Sequence, residues 1–68
     1  MSKWIIEFDY SADPEVSSDT VRANLFEMLS IARGPFRVER QRVEFEDTDD
    51  ALSVRMRFDG NIVACQRA

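Results

Sequence analysis

Sixty-eight residues, 44% hydrophobic and 32% charged, are expected to form one small ordered domain over residues 1–68, without room for a separate catalytic domain. A formal net charge of -4 opposes nucleic-acid binding by bulk electrostatics, because phosphates are bound by cations, and favours a protein partner with a basic surface. The lack of histidine excludes a histidine-based triad, and a single cysteine, Cys65, excludes an internal disulfide and a cysteine–histidine zinc site.

Residues 3–10, KWIIEFDY, put Trp4, Ile6, Phe8 and Tyr10 on one face and Lys3, Glu7 and Asp9 on the other, which predicts a first strand. Ile5 is the apolar exception on the polar face. In SADPEVSSDT, Ser17 is the expected N-cap of a helix, with Val16 and Val21 placed as a hydrophobic staple and Asp19 in the first turn. Val21, Leu25, Met28, Leu29 and Ala32 recur at helical spacing as one buried stripe. Arg33-Gly34-Pro35 closes the helix, with Gly34 expected in a left-handed conformation. Phe26 lies off the stripe and is either packed under the loop after the first strand or exposed as an anchor for a partner.

The next stretch, PFRVERQRVEF, changes phase in its middle. Phe36 and Val38 hold even positions and Val43 and Phe45 odd ones, so one uninterrupted strand cannot send all four to the same core. Downstream, Leu52, Val54, Met56 and Phe58 alternate with Ser53, Arg55 and Arg57 and read as a further strand. Pairing the two stretches favours a bulge at Arg40 and Gln41 over a true turn or a long bend, because the bulge restores Val38 opposite Phe58; it leaves Arg40 in an irregular position at the sheet edge. Between them, residues 47–50 form an acidic hairpin loop. Asp59-Gly60-Asn61 follows as a tight hairpin turn, and residues 62–68 as the last strand, with Cys65 facing the core.

The expected fold is therefore α+β, a two-layer βαβββ domain with one helix packed on a four-stranded, mainly antiparallel sheet. The first strand is expected to run parallel to the second and fourth, beside one or the other. The uncovered sheet face should carry Lys3, Ile5, Glu7, Asp9, Arg37, Glu39, Arg42, Glu44, Arg55, Arg57, Ile62, Ala64 and Gln66.

Two surfaces then stand out as partner contacts. One is the acidic cluster Glu44, Glu46, Asp47, Asp49 and Asp50, which fails the calcium-loop template because Leu52 and Phe58 occupy its sixth and twelfth positions. The other is the open face, where Arg55 and Arg57 are candidate contacts and two copies could pair as a homodimer, with Arg40 a further candidate at the sheet edge. No metal, cofactor or catalytic constellation is expected, and carboxylates alone, without a water-excluding pocket, do not make an enzyme. No apolar run approaches the length that spans a bilayer, and a cytoplasmic location is expected.

These features favour a non-enzymatic protein-binding module, an inhibitor or adaptor that occupies a basic surface of a larger machine. Small phage or mobile-element proteins that block nucleic-acid-handling complexes such as CRISPR effectors are comparable in size and charge. The alternatives are a homo-oligomeric carrier of a small aromatic or anionic ligand, with Arg55 and Arg57 as anion contacts, and a structural subunit of a larger assembly.

Overall fold

The computed structural model describes residues 3–67. In chain order it contains β1 (Trp4–Phe8), α1 (Ser18–Leu29), β2 (Phe36–Glu39), β3 (Arg42–Phe45), α2 (Thr48–Arg57), a short 3-10 turn (Asp59–Asn61) and β4 (Ile62–Arg67). The four strands form one sheet in the order β2-β3-β1-β4, and each neighbouring pair is antiparallel. This is an α+β fold with a four-stranded antiparallel sheet, and α2 packs on β1 and β3.

The core follows from the strand pattern. Ile6 and Phe8 of β1 and Val43 and Phe45 of β3 are buried, and Val21, Leu25 and Leu29 of α1 and Ala51 and Val54 of α2 join them in one cluster with Tyr10 and Phe58. Both helices therefore cover the same sheet face, and the opposite face stays open. Ser17 caps α1 as its chemistry requires, its side chain accepting from the backbone N–H of Thr20 at 3.2 Å. Val21 is buried, whereas its staple partner Val16 remains 37% exposed.

The phase change after Pro35 is a turn, not a bulge. β2 and β3 form a hairpin through Arg40 and Gln41, with Phe36 opposite Phe45 and Val38 opposite Val43. Across a two-residue turn even positions pair with odd ones, so Phe36, Val38, Val43 and Phe45 share the core side, as the alternation demanded. Arg40 takes a positive φ of 54° at the first turn position, where such hairpins normally place glycine. The Tyr10 hydroxyl donates to the Arg40 carbonyl at 3.3 Å, and the Phe8 N–H donates to the Gln41 carbonyl at 2.7 Å, so β1 holds the turn from one side.

ALSVRMRF is helical rather than extended. Asp47 sits at the N-cap with its side chain accepting from the N–H groups of Asp49 and Asp50, and those two carboxylates lie in the first turn where the helix dipole favours them. The expected acidic hairpin loop is thus a helix start. Replacing a strand by a helix also reverses the strand directions: β1 lies in the middle of the sheet, antiparallel to both β3 and β4, instead of parallel to its neighbours.

Two smaller expectations change as well. Asp59-Gly60-Asn61 is not a hairpin turn but the 3-10 link from α2 into β4, tied down by the Asn61 side-chain amide donating to the Asp9 carbonyl at 3.1 Å. Gly34 does not adopt a left-handed conformation, because α1 already ends at the Ser30 cap. Glycine is needed there for space: a Cβ on Gly34 would lie 2.9 Å from the Asp47 Cβ.

Candidate functional site

The open sheet face contains a regular pattern of charge. Across the strands, one row reads Arg37, Glu44, Ile5, Gln66 and the next reads Glu39, Arg42, Glu7, Ala64. Every charged residue in this lattice has an oppositely charged neighbour, either across a strand pair or two residues along its own strand. Arg37 approaches Glu39 at 3.8 Å and Arg42 approaches Glu7 at 3.8 Å. Such exposed pairs contribute little stability, but they leave no block of like charge facing out. Phosphate recognition would need unopposed arginines, and here each arginine has a carboxylate beside it.

Three residues expected on this face lie elsewhere. Arg55 and Arg57 are in the last turn of α2 because their segment is helical. Ile62 pairs with Phe8 on the core side, because the register shifts between Glu7 and Phe8 so that Ile62, not Val63, stands opposite Phe8.

The acidic cluster is not one exposed surface. Glu44 belongs to the matched lattice, and Asp47 is the helix cap. Asp50 is only 9% exposed, and its carboxylate accepts from the backbone N–H of Arg33 at 3.0 Å and of Gly34 at 2.9 Å, clamping the end of the α1–β2 connection onto α2. Among the described residues, Glu46 and Asp49 are the members of the cluster whose side chains are exposed and make no hydrogen bond or ion pair. Asp50 and Asp47 were candidates for partner contact by charge alone. Their geometry gives both a structural role.

The feature that charge counting missed is a groove between the C-terminal part of α1 and the outward face of α2. Its floor is buried Leu29, Phe45 and Val54, and its rim holds Met28, Ile31, Leu52 and Met56, with a volume of about 480 Å³. Ile31 is 78% exposed and Met56 82% exposed, values typical of polar residues rather than of large apolar ones. Arg33 and Asp49 add an exposed charge of each sign, and the buried Asp50 carboxylate also reaches the lining. Ile31 flanks the α1 stripe in sequence, but it defines no groove by itself. Met56 and Leu52 were concealed because strand parity assigned them to the core.

The remaining candidates are scattered. Phe26 is 50% exposed on α1 and does not line the groove. Arg40 sits at the hairpin tip. Cys65 is half-buried opposite Ile6. Tyr10 stacks on Phe8 with ring centres 5.7 Å apart, the Arg22 guanidinium lies 5.8 Å from its ring centre, and burial raises its phenol pKa despite that cation. Trp4 donates to the Thr48 hydroxyl at 3.2 Å, which places its polar edge on α2, and its ring lies under the Arg67 guanidinium.

Among the described residues, no group of three or more acidic, cysteine or histidine side chains is placed to hold a metal ion, and no helix is long and apolar enough to cross a membrane. No family model, curated protein or solved structure matches the chain.

Proposed function

We propose that this chain is a small, non-enzymatic protein-binding module whose contact surface is the helical layer. The observation that carries this reading is the groove: Ile31 and Met56 project into solvent over an apolar floor, in a domain whose other large side chains are mostly buried or half-buried. Burial of such side chains by a partner supplies affinity, and the exposed carboxylate of Glu46, which lies outside the groove, adds selection for a basic partner. An inhibitor or adaptor that occupies a basic surface of a larger assembly fits this combination. A phage or mobile-element inhibitor of a nucleic-acid-handling complex is one narrower form of the same proposal, supported by small size and net negative charge.

The test is a tagged pull-down from the native host, followed by salt titration of the captured complex. Binding should weaken as salt rises, fall with Glu46→Gln, and be lost with Met56→Asp while the far-UV circular dichroism stays unchanged. Capture that is indifferent to Met56→Asp would remove the groove from the proposal.

A further inference from the structure

The outward face of α2 carries Asp49, Leu52, Ser53 and Met56, spaced i, i+3, i+4 and i+7, which is the spacing of a helix contact stripe. Ala51 and Val54 point into the core instead, so this stripe is free of internal packing duty. Small Ser53 at its centre lets another helix come close, with Leu52 and Met56 as the side chains to be covered. The same helix is electrically polar: Asp49 lies in its first turn and Arg55 and Arg57 in its last. None of these three side chains forms an ion pair among the described residues.

This polarity discriminates between occupants. A uniformly basic helix laid along α2 would meet Asp49 favourably and then run against Arg55 and Arg57. A uniformly acidic one would meet the reverse conflict. A helix running antiparallel with basic residues at one end and an acidic residue at the other satisfies both ends, and α2 of a second copy is such a helix.

We infer that the groove and the outward stripe of α2 form a two-fold interface with a second copy of this chain, α2 packing antiparallel on α2 about an axis near Leu52 and Ser53. Resting on the reading of the groove as a protein contact, the inference names that contact's partner. About this axis Asp49 of each copy stands level with the last turn of the other helix, so the charge match occurs twice, as an isologous interface requires. Leu52 and Met56 become buried, and Ile31 closes over the flank. The open sheet face, with its charges already matched internally, stays in solvent, and Glu46 remains outside the seam for a basic partner. A core of eleven buried apolar residues among the described residues is small for a free-standing domain, and burial across this seam enlarges it.

Sedimentation equilibrium on the full chain from about 10 μM to about 1 mM tests the inference directly. The expected result is a mass of two chains, reduced to one by Met56→Asp and unchanged by Ile5→Asp on the open face, with both variants keeping the native circular dichroism. Asp49→Lys should weaken association about tenfold, and adding Arg55→Glu and Arg57→Glu should restore it. In a Cys65→Ser background, Ser53→Cys should give a disulfide-linked dimer under mild oxidation.

A one-chain mass over the whole range overturns the inference, as does a dimer broken by Ile5→Asp and not by Met56→Asp. If the chain is monomeric yet Met56→Asp still releases a captured host protein, the second-copy assignment fails while the groove stands as a contact for a different protein. Failure of both measurements removes the groove reading itself.

Discussion

The two faces of this domain carry charge in opposite ways. On the open side of the sheet, Arg37, Glu39, Arg42, Glu44 and Glu7 alternate in sign across and along the strands. On the helical side, Asp50 is buried on backbone amides, whereas Asp49, Arg55 and Arg57 face solvent without an ion partner among the described residues. A count of charged residues ranks the sheet face as the richer surface. Whether each charge already has a partner reverses that ranking, because a matched lattice gains little from meeting another molecule and an unmatched rim gains more. Apolar exposure is greatest on the helical side, at Ile31 and Met56, whereas the sheet carries half-buried Ile5 and Ala64 with exposed Val63 and Phe36 on its two edge strands.

The comparison is broken most strongly at Asp50. Asp50→Ala leaves the Arg33 and Gly34 amides without their acceptor in a partly buried site, and we expect a loss of about 3 kcal/mol in urea unfolding with an unchanged m-value. Asp50→Asn retains one carbonyl acceptor and should cost less. Glu44→Ala, an acidic residue from the same stretch of sequence, should change stability by no more than about 0.5 kcal/mol. Equal effects at the two positions would show that the distinction between structural and lattice carboxylates is false.

The reason Asp50 and Glu44 look alike in sequence is the reason part of the fold was misread. The class, the first strand, the Ser17 cap and the core side of Val43 and Phe45 are legible because strand alternation and capping chemistry act over a few residues. The segment 51–58 satisfies two periods at once: Leu52, Val54, Met56 and Phe58 alternate, while Ala51, Val54 and Phe58 recur as on a helix. What decides between them is upstream, where Asp47 caps and two acidic residues fill the first turn. The Arg40-Gln41 turn is opaque for another reason, since neither residue carries the glycine or asparagine signature of a tight hairpin, and its support comes from Tyr10, thirty residues away. The groove was illegible as a consequence, because it exists only once α2 is a helix.

Tyr10 offers a sharper test of how the sheet side is held. Tyr10→Phe deletes the hydroxyl that donates to Arg40 and should cost about 1 kcal/mol near neutral pH. It should also change the alkaline profile. Burial raises the Tyr10 pKa in the folded chain above its ordinary value of 10.0, so the folded state holds the phenol proton more tightly than the unfolded state does. The stability this contributes is complete below pH 10, and it is lost as pH rises from there through the raised folded value. Wild type should therefore lose stability over that window more steeply than Tyr10→Phe, as read by thermal unfolding at a series of alkaline pH values. Parallel profiles would mean that Tyr10 is not buried as described.

At the other end of that hydrogen bond, Arg40 holds a conformation that costs an ordinary residue about 1–2 kcal/mol. Arg40→Gly removes this strain, and the greater entropy of glycine in the unfolded chain offsets up to about 1 kcal/mol of the gain. A net stabilisation of about 0.5 kcal/mol is expected. Destabilisation would instead indicate that the arginine side chain contributes to the hairpin tip.

The smallest effect belongs to the lattice itself, and it is the most discriminating. Glu7 and Arg42 approach at 3.8 Å with both side chains about half exposed, so removing either should cost less than about 0.5 kcal/mol, and the coupling energy from a Glu7→Gln, Arg42→Gln cycle should be smaller still. The central position of Arg42 makes the result informative, because Arg42 stands between Glu39 on one side and Glu7 on the other and has Glu44 two residues along its own strand. If the alternation is only a way of keeping a solvated face free of like-charge contacts, the couplings with these carboxylates should be weak and independent. A coupling above about 1 kcal/mol, or one that grows when Glu39 is intact, would mean that the charges act as a cooperative network. In that case the sheet face, and not the helical groove, would be the more constrained surface of the molecule.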